Sequence, residues 1–270
     1  MAMRVIEWPH FLEEALPFGG ASSAITIGVF DGVHRGHKAL IEYVATFGEH
    51  TVPVVVTFRR SNYKKDRSPG RKHLGEISSF NQKIAAFESL GISVTIVIEF
   101  SESFRHMSGT EFLRILHEHG KMSFLAVGSN FRCGYKLDTD ALLMQEFNAQ
   151  RNIPTAIVQV LTEGSTTISS SQIRAAIGKG DLKAAAAMLG YPFTIDLTGV
   201  SVLPAGNDAA YGISDHGRIL PPPGRYSVFL REIIDGKSIK KPAEILVDGG
   251  NLIISGYSTD ACPESVEFIP

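Results

Sequence analysis

Cysteine is scarce in this chain of 270 residues, in which only Cys133 and Cys262 occur. Two cysteines cannot build a disulfide framework, and neither has a metal-ligating neighbour, which argues against a disulfide-rich secreted domain and a zinc module. Long apolar runs are also missing. No stretch approaches the roughly eighteen apolar residues of a membrane span, and residues 1–8 lack the core of a signal peptide. We therefore expect a cytoplasmic protein with no membrane contact.

An excess of charge of one sign is absent as well, because 26 Lys and Arg face 28 Asp and Glu, for a net charge of -2. This balance argues against a general nucleic-acid surface, so any affinity for phosphate must come from local groups. Neither G-x-G-x-x-G nor G-x-x-x-x-G-K-[ST] occurs in the chain. Their absence disfavours a dinucleotide-dependent dehydrogenase and a P-loop ATPase.

Apolar strand candidates alternate with amphipathic helices through the first 190 residues. We predict strands at 24–30, 52–58, 94–98, 124–128 and 154–160, and helices at 36–47, 78–90, 110–119, 140–150 and 171–189. Such alternation is typical of an α/β fold with a doubly wound parallel sheet. After residue 190, short β-rich runs separated by Gly and Pro predict a small barrel-like domain. The predicted domains are 1–190 and 191–270.

The most informative stretch is GVFDGVHRGH at residues 28–37, between the first predicted strand and helix. Its position places main-chain N–H groups, His34 and His37 at a helix N-terminus, which is a favourable place for phosphate. Gly28, Gly32 and Gly36 allow close approach of a ligand, and a histidine beside phosphate can carry a proton near neutral pH. The alternatives are an ordinary turn with exposed histidines and a zinc pair, for which no Cys or carboxylate neighbour completes the ligand set.

Two further segments carry residues suited to anion binding. Ser169, Ser170 and Ser171 precede a predicted helix, and Arg174 lies in its first turn, where its N–H groups can reach the same anion. The alternative is a serine-capped surface helix. Asn130 follows a predicted strand, where ligand-binding residues of open α/β sheets collect, although Asn is also a common turn residue.

The stretch at 28–37 resembles the G-x-F-D-G-x-H-x-G-H signature of the bacterial bifunctional riboflavin kinase/FAD synthetase family. In that family it belongs to the FMN adenylyltransferase module, a member of the HxGH nucleotidyltransferase superfamily. Four more segments resemble family motifs in the same order, so the resemblance extends from about Ile25 to about Tyr191. They are 77–91 (L-T-x-x-x-x-K and its helix), 99–112 (F-x-x-x-F-x-x-x-S-x-x-x-F), 127–134 (V-G-x-D/N-F-x-F-G) and 168–174 (I/V-S-S-T-x-I-R).

The resemblance implies transfer of AMP from ATP to FMN, which makes FAD and releases pyrophosphate, with Mg²⁺ accompanying ATP. The predicted catalytic residues are His34, His37 and Arg174. The predicted ATP-binding residues are Gly28, Phe30, Asp31, Gly32, Gly36, Asn130, Ser170 and Ser171. Two roles are possible for Asp31, because its side chain can hold the turn or approach Mg²⁺ through water. We predict no protein metal site and no nucleic-acid partner.

The chain departs from the family pattern on the flavin side and in the second domain. Arg59 follows Phe58 where the family has proline, and Cys133 replaces the second Phe of F-x-F-G. The segment 220–228 resembles the kinase strand L-P-x-x-G-x-Y-x-V, but the G-x-P-T-A-N motif is absent. We therefore predict a shortened kinase domain without kinase activity.

The basic segment 59–73 has two open interpretations. It is either a solvated loop or a cover over the acceptor, with Arg59, Arg60 and Asn62 as predicted acceptor-binding residues. The altered flavin side also leaves two other functions open. One is a nucleotidyltransferase for another phosphorylated acceptor, and the other is a non-catalytic flavin- or nucleotide-binding protein.

Overall fold

The computed structural model describes residues 2–13, 20–59, 75–205, 208–213, 216–234, 236–257 and 263–270. The chain divides into two compact units. The first comprises Met1–Phe30, Gly36–Ser61 and Lys83–Leu161, and the second comprises Asp31–Arg35, Asn62–Gln82 and Thr162–Pro270. Within the described ranges, no helix combines the length and apolar character that crossing a bilayer requires.

The first unit is built on a six-stranded sheet in which every pair of neighbouring strands is parallel. Its strands are β1 (Arg4–Glu7), β2 (Ser22–Ile27), β3 (Thr51–Arg59), β4 (Val94–Glu99), β5 (Met122–Gly128) and β8 (Thr155–Val158), in the order β1-β4-β3-β2-β5-β8. The central strands are nearly continuous runs of buried residues, as is typical of a parallel sheet covered on both faces. The predicted α/β parallel sheet is confirmed.

Strand β2 lies in the interior of the sheet, between β3 and β5. The chain moves from β2 outward through β3 to β4, and then returns to the opposite side of β2 as β5. The strand order therefore reverses between β2 and β5, and in open α/β sheets ligands bind beyond the carboxyl ends of strands at such a point. The stretch 28–37 follows β2, and Asn130 follows β5.

The helices of this unit largely match the predicted segments. They are α1 (Trp8–Glu13), α2 (Arg35–Ala45), α3 (Phe80–Ser89), α4 (Glu102–Arg105), α5 (Gly109–Glu118) and α6 (Ala141–Ala149), with the first residues of α2 and α3 assigned to the second unit. Ser108 caps α5 and Asp140 caps α6, each by accepting main-chain N–H groups. Between α5 and α6 lie β6 (Arg132–Cys133), a 3₁₀ turn (Tyr135–Leu137) and β7 (Thr139–Asp140).

The second unit combines two helices with an antiparallel sheet, which confirms the predicted β-rich region. Its elements are β9 (Thr162–Glu163), β10 (Thr166–Thr167), α7 (Ser170–Gly178), α8 (Leu182–Leu189), β11 (Thr194–Asp196), β12 (Val202–Ala205), β13 (Asp208–Gly212), β14 (Gly224–Ile234), β15 (Lys237–Asp248), β16 (Asn251–Ile254) and β17 (Ser265–Phe268). Seven strands form one sheet in the order β11-β17-β14-β15-β16-β13-β12. Ile173 of α7 and Leu189 of α8 share one buried core with Phe268 of this sheet.

The single helix predicted at 171–189 is wrong, because α7 and α8 are separate helices. Gly180 has a φ of 79°, a left-handed conformation that a helix cannot continue through. Asp181 then begins α8 by accepting the N–H of Ala184. The Gly-Lys-Gly-Asp sequence at 178–181 was the available signal, since Gly ends helices and Asp caps them.

Substitution of two helical glycines by alanine tests the packing of the first unit. A Cβ on Gly109 would lie 2.3 Å from Thr139, whereas one on Gly178 would meet nothing within 4 Å. We expect Gly109→Ala to lower the free energy of unfolding by about 1–3 kcal/mol through overpacking. Gly178→Ala should leave it unchanged or raise it by up to about 1 kcal/mol. Urea denaturation of both variants measures the difference, and equal effects would contradict the close contact.

Candidate active site

The turn after β2 contains residues in unusual main-chain conformations. Phe30 has a φ of 52° and Val33 a φ of 31°, both in the left-handed region that residues with a Cβ avoid, and Gly32 has a φ of 81°. Such conformations cost on the order of 1–3 kcal/mol each and are concentrated at functional sites. A Cβ on Gly28 would also lie 3.0 Å from the ring of Phe30, so a larger residue there would require this ring to shift.

In the second unit, the buried carboxylate of Asp31 gathers groups from two other segments. It accepts the N–H of Ile77 at 2.9 Å and that of Ser78 at 3.2 Å, and it forms a salt bridge with Arg174. The hydroxyl of Ser170 donates to the main-chain oxygen of Asp31 at 2.9 Å. Both carboxylate oxygens therefore have protein partners, which supports the turn-holding role of Asp31 over an approach to Mg²⁺.

Gly32 is fixed by two side chains that the sequence did not single out. Its N–H donates to the hydroxyl of Ser78 at 2.9 Å, and its carbonyl oxygen accepts the hydroxyl of Tyr191. Burial and the nearby Asp31 charge raise the pKa of Tyr191, so this hydroxyl remains a donor at neutral pH. Both main-chain polar groups of Gly32 thus have protein partners, and its predicted contact with ATP stays a prediction.

Arg174 and the serines before it occupy the predicted helix start. Ser169 is the N-cap of α7, Ser170 bonds to the Asp31 main chain, and Ser171 is exposed in the first turn. The guanidinium of Arg174 pairs with Asp31 and also donates from Nε to the carbonyl of Gly75 at 2.8 Å. These bonds fix the direction of the guanidinium, whose side chain retains 19% exposure.

His34 precedes α2 and is only 5% exposed. Burial lowers its pKa to about 4, and a hydrogen bond with its own main chain offsets part of that effect. The ring is therefore neutral at pH 7 in the ligand-free protein, in contrast to the protonated form that the sequence left open. A neutral imidazole still has one N–H to donate.

In the first unit, His37 lies in the first turn of α2 and contacts the ring of Phe30. The two ring centroids are 5.1 Å apart in an edge-to-face arrangement, and Phe30 packs in the same way against Phe87 at 5.5 Å. The left-handed conformation of Phe30 thus accompanies a fixed position of His37. Asn130 is exposed beyond β5, and its amide oxygen would lie 3.2 Å from a Cβ placed on Gly128.

The first unit also contains an aromatic cavity of about 240 Å³. Its lining includes Phe58, Phe100, Phe104 and Phe112, and the rings of Phe58 and Phe100 are stacked at 5.1 Å. The signal in the sequence was the recurrence of Phe at positions 100, 104 and 112, within the stretch 99–112 that resembles a family motif. The cavity is therefore a candidate site for a planar apolar group.

Polar residues of the cavity differ from those that the sequence predicted for the acceptor. Arg105 and Arg132 line it, whereas Arg59 does not and instead pairs with Glu7 at 2.9 Å. Arg60 and Asn62 lie outside the described residues. Cys133 also lines the cavity, and burial together with the Asp138 charge raises the pKa of its thiol to about 12, so the thiol stays protonated.

The parallel sheet and the glycine-containing stretch that follows its interior strand β2 define an α/β protein. Within that class, the chain belongs to the FAD synthetase family, whose model matches residues 20–172. It is 30% identical over 199 residues to the bifunctional riboflavin kinase/FMN adenylyltransferase of Escherichia coli K12, covering 72% of this chain and 61% of that protein. The protein of the same description from Bacillus subtilis is 28% identical over 216 residues, covering 77% of this chain and 67% of that protein.

The chain thus spans about three fifths of the length of the Escherichia coli relative. Among solved structures, the fold is similar to that of a macrolide-efflux protein from Streptococcus pneumoniae, with a TM-score of 0.76 and 20% identity. The match covers 98% of this chain and 90% of that chain. At this identity the similarity concerns the fold alone.

The lowered pKa of His34 predicts a loss of stability in acid. A histidine in the unfolded chain has a pKa of about 6.5, so between about pH 6.5 and 4 the unfolded state binds more protons than the folded state. Stability should therefore fall as the pH decreases through that window, by up to about 3 kcal/mol from this group. His34→Gln should lose less stability than the wild type between pH 7 and 4.5 in urea denaturation. The exposed His50→Gln variant is the control, and a match between His34→Gln and the wild type would contradict this account.

The pair Asp31–Arg174 predicts strong energetic coupling. We expect a double-mutant cycle with Asp31→Asn and Arg174→Met to give a coupling energy above about 1 kcal/mol, because the pair is largely desolvated. The exposed pair Arg114–Glu118 on α5 serves as the reference, and its coupling should stay near 0.5 kcal/mol or below, roughly the value for surface pairs. Similar coupling in the two pairs would contradict the organising role of Asp31.

Proposed function

We propose that this chain transfers AMP from MgATP to FMN, with FAD and pyrophosphate as products. The observation that carries the proposal is the family match over residues 20–172. This range includes both the stretch 28–37 with His34 and His37, here called the histidine turn, and the aromatic cavity. We further infer that residues 1–190 form the transferase domain and that residues 191–270 correspond to a shortened kinase domain. The proposed reaction involves no membrane lipid and no nucleic acid.

The aromatic cavity suits the flavin ring. Five of its twelve lining residues are phenylalanine, and their rings give a planar apolar ring the contacts that it lacks in water. Arg105 and Arg132 are the cationic lining residues and can attract the phosphate end of FMN. Arg59, already paired with Glu7, is a weaker candidate for that contact than the sequence suggested.

The reaction requires positioning more than proton transfer. The phosphate of FMN is ionised at neutral pH, so one of its oxygens can attack the α-phosphorus of ATP without a strong base. A new bond forms between this oxygen and the α-phosphorus, while the bond from the α-phosphorus to the bridging oxygen breaks and releases pyrophosphate. The protein must hold the reactants in line and stabilise the charge on the α-phosphate and on the leaving group.

The predicted residues offer the donors for that task. His37 in the first turn of α2 and neutral His34 can each donate an N–H to phosphate oxygens. Arg174, oriented by Asp31 and Gly75, and the exposed hydroxyl of Ser171 are suited to the β and γ phosphates. Mg²⁺ bound to the triphosphate would supply positive charge to the leaving pyrophosphate.

An assay of the purified protein with MgATP and either FMN or riboflavin tests the proposal. We expect FAD from FMN and no product from riboflavin, because the G-x-P-T-A-N motif is missing. Chromatography separates the flavins. FMN formed from riboflavin would refute the inferred loss of kinase activity. Failure to convert FMN, while MgATP still binds, would favour a different phosphorylated acceptor or a binding protein.

Removal of one proposed donor gives a second test. We expect His37→Ala to lower kcat/KM for FAD formation by about a hundredfold or more, as is typical when a positioned transition-state donor is lost. The exposed His50→Ala variant should behave as the wild type. A His37→Ala value within a few fold of the wild type, measured on folded protein, would remove His37 from the catalytic residues.

A further inference from the structure

Lys83 is a buried lysine that does not line the aromatic cavity and has no part in the proposed phosphate contacts. It lies on α3 in the first unit and is 3% exposed, although lysine is rarely buried without polar partners. Its ammonium group is 3.3 Å from the carbonyl oxygen of Phe58 and 3.5 Å from that of Val29. A charge is retained at such a position only when the hydrogen bonds compensate for its desolvation.

The two carbonyl groups belong to neighbouring strand ends. Phe58 is the penultimate residue of β3, and Val29 lies two residues beyond the end of β2, its parallel neighbour. The carbonyl oxygen of Val29 also accepts the hydroxyl of Thr57 at 3.3 Å. Lys83 therefore connects the carboxyl ends of β2 and β3 from the α3 side.

Both connected residues also belong to the proposed acceptor site. The side chains of Val29 and Phe58 line the aromatic cavity, and Phe58 stacks on Phe100 within it. The ammonium group thus holds the main chain behind one wall of the cavity. Movement of this wall would change the space for the flavin.

The Val29 carbonyl also determines how the chain enters the turn. It is part of the peptide group that immediately precedes Phe30, the residue with a φ of 52°. An unfavourable main-chain conformation persists only where surrounding contacts over-determine it. Donation from Lys83 and Thr57 fixes this peptide group, and Phe30 in turn packs against His37.

We propose that Lys83 is a positioning residue that fixes the flavin-side wall and, through the Val29 peptide, the ring position of His37. This inference rests on the proposed FMN adenylyltransferase function. Lys83 does not touch the substrates in this account. Its loss should weaken the use of FMN and slow turnover, while the KM for ATP stays near the wild-type value.

The test compares Lys83→Met, Lys83→Gln and the exposed control Lys183→Met in steady-state assays with FMN and MgATP varied separately. We expect Lys83→Met to raise the KM for FMN by about tenfold and to lower kcat, since charged hydrogen bonds contribute this much. The KM for ATP should change by less than about twofold. Lys83→Gln, which keeps one donor group, should lie between Lys83→Met and the wild type.

Binding of FMN without ATP, followed by quenching of flavin fluorescence, gives a readout that does not need turnover. Thermal unfolding of each variant shows whether it is folded. A merely structural role of Lys83 would reduce the amount of folded protein, which lowers the apparent kcat but leaves both KM values unchanged. The inference is overturned if Lys83→Met keeps the wild-type KM for FMN, if both KM values rise together, or if neither variant folds. A wild-type protein that neither binds FMN nor makes FAD would instead defeat the proposed function itself.

Discussion

The carboxylate of Asp31 is the interaction on which the histidine turn depends in the second unit. One buried anion accepts the N–H groups of Ile77 and Ser78 and the guanidinium of Arg174, so three separate segments of the chain meet at a single residue. An unpaired carboxylate at this depth would be strongly unfavourable, which makes the cluster cooperative. Asp31 therefore fixes the positions of these three segments, and its predicted contact with ATP stays a prediction.

In the first unit, a buried positive charge on Lys83 contacts main-chain groups in a comparable way. There the ammonium of Lys83 collects carbonyl oxygens at the ends of β2 and β3, where Asp31 collects N–H groups in the second unit. Ends of secondary structure leave main-chain groups without regular partners, and a buried ion of the right sign satisfies several of them at once. Each unit thus keeps an irregular segment in one conformation by the same physical means.

The parallel sheet was predictable because its central strands are buried on both faces and appear as continuous apolar runs. The edge strand β1 was missed, since its four residues carry an Arg and a Glu and show no such run. Glycines, histidines and helix caps made the residues suited to anion binding recognisable in the sequence. The partners of Asp31, Gly32 and Lys83 were not, because they lie 25 to 159 residues away in sequence and depend on tertiary packing. Arg59 stays a predicted acceptor residue, and only the fold shows that Glu7 lies beside it.

The left-handed conformations of Phe30 and Val33 have a consequence for attempts to stabilise the protein. Selection for thermal tolerance alone favours substitutions that relieve main-chain strain, and a β-branched residue with a φ of 31° is an obvious target. Glycine at position 33 would relieve this strain, but it would also remove a buried side chain and increase the freedom of the turn. Relief of main-chain strain and the fixed geometry of the turn are therefore opposed at this position.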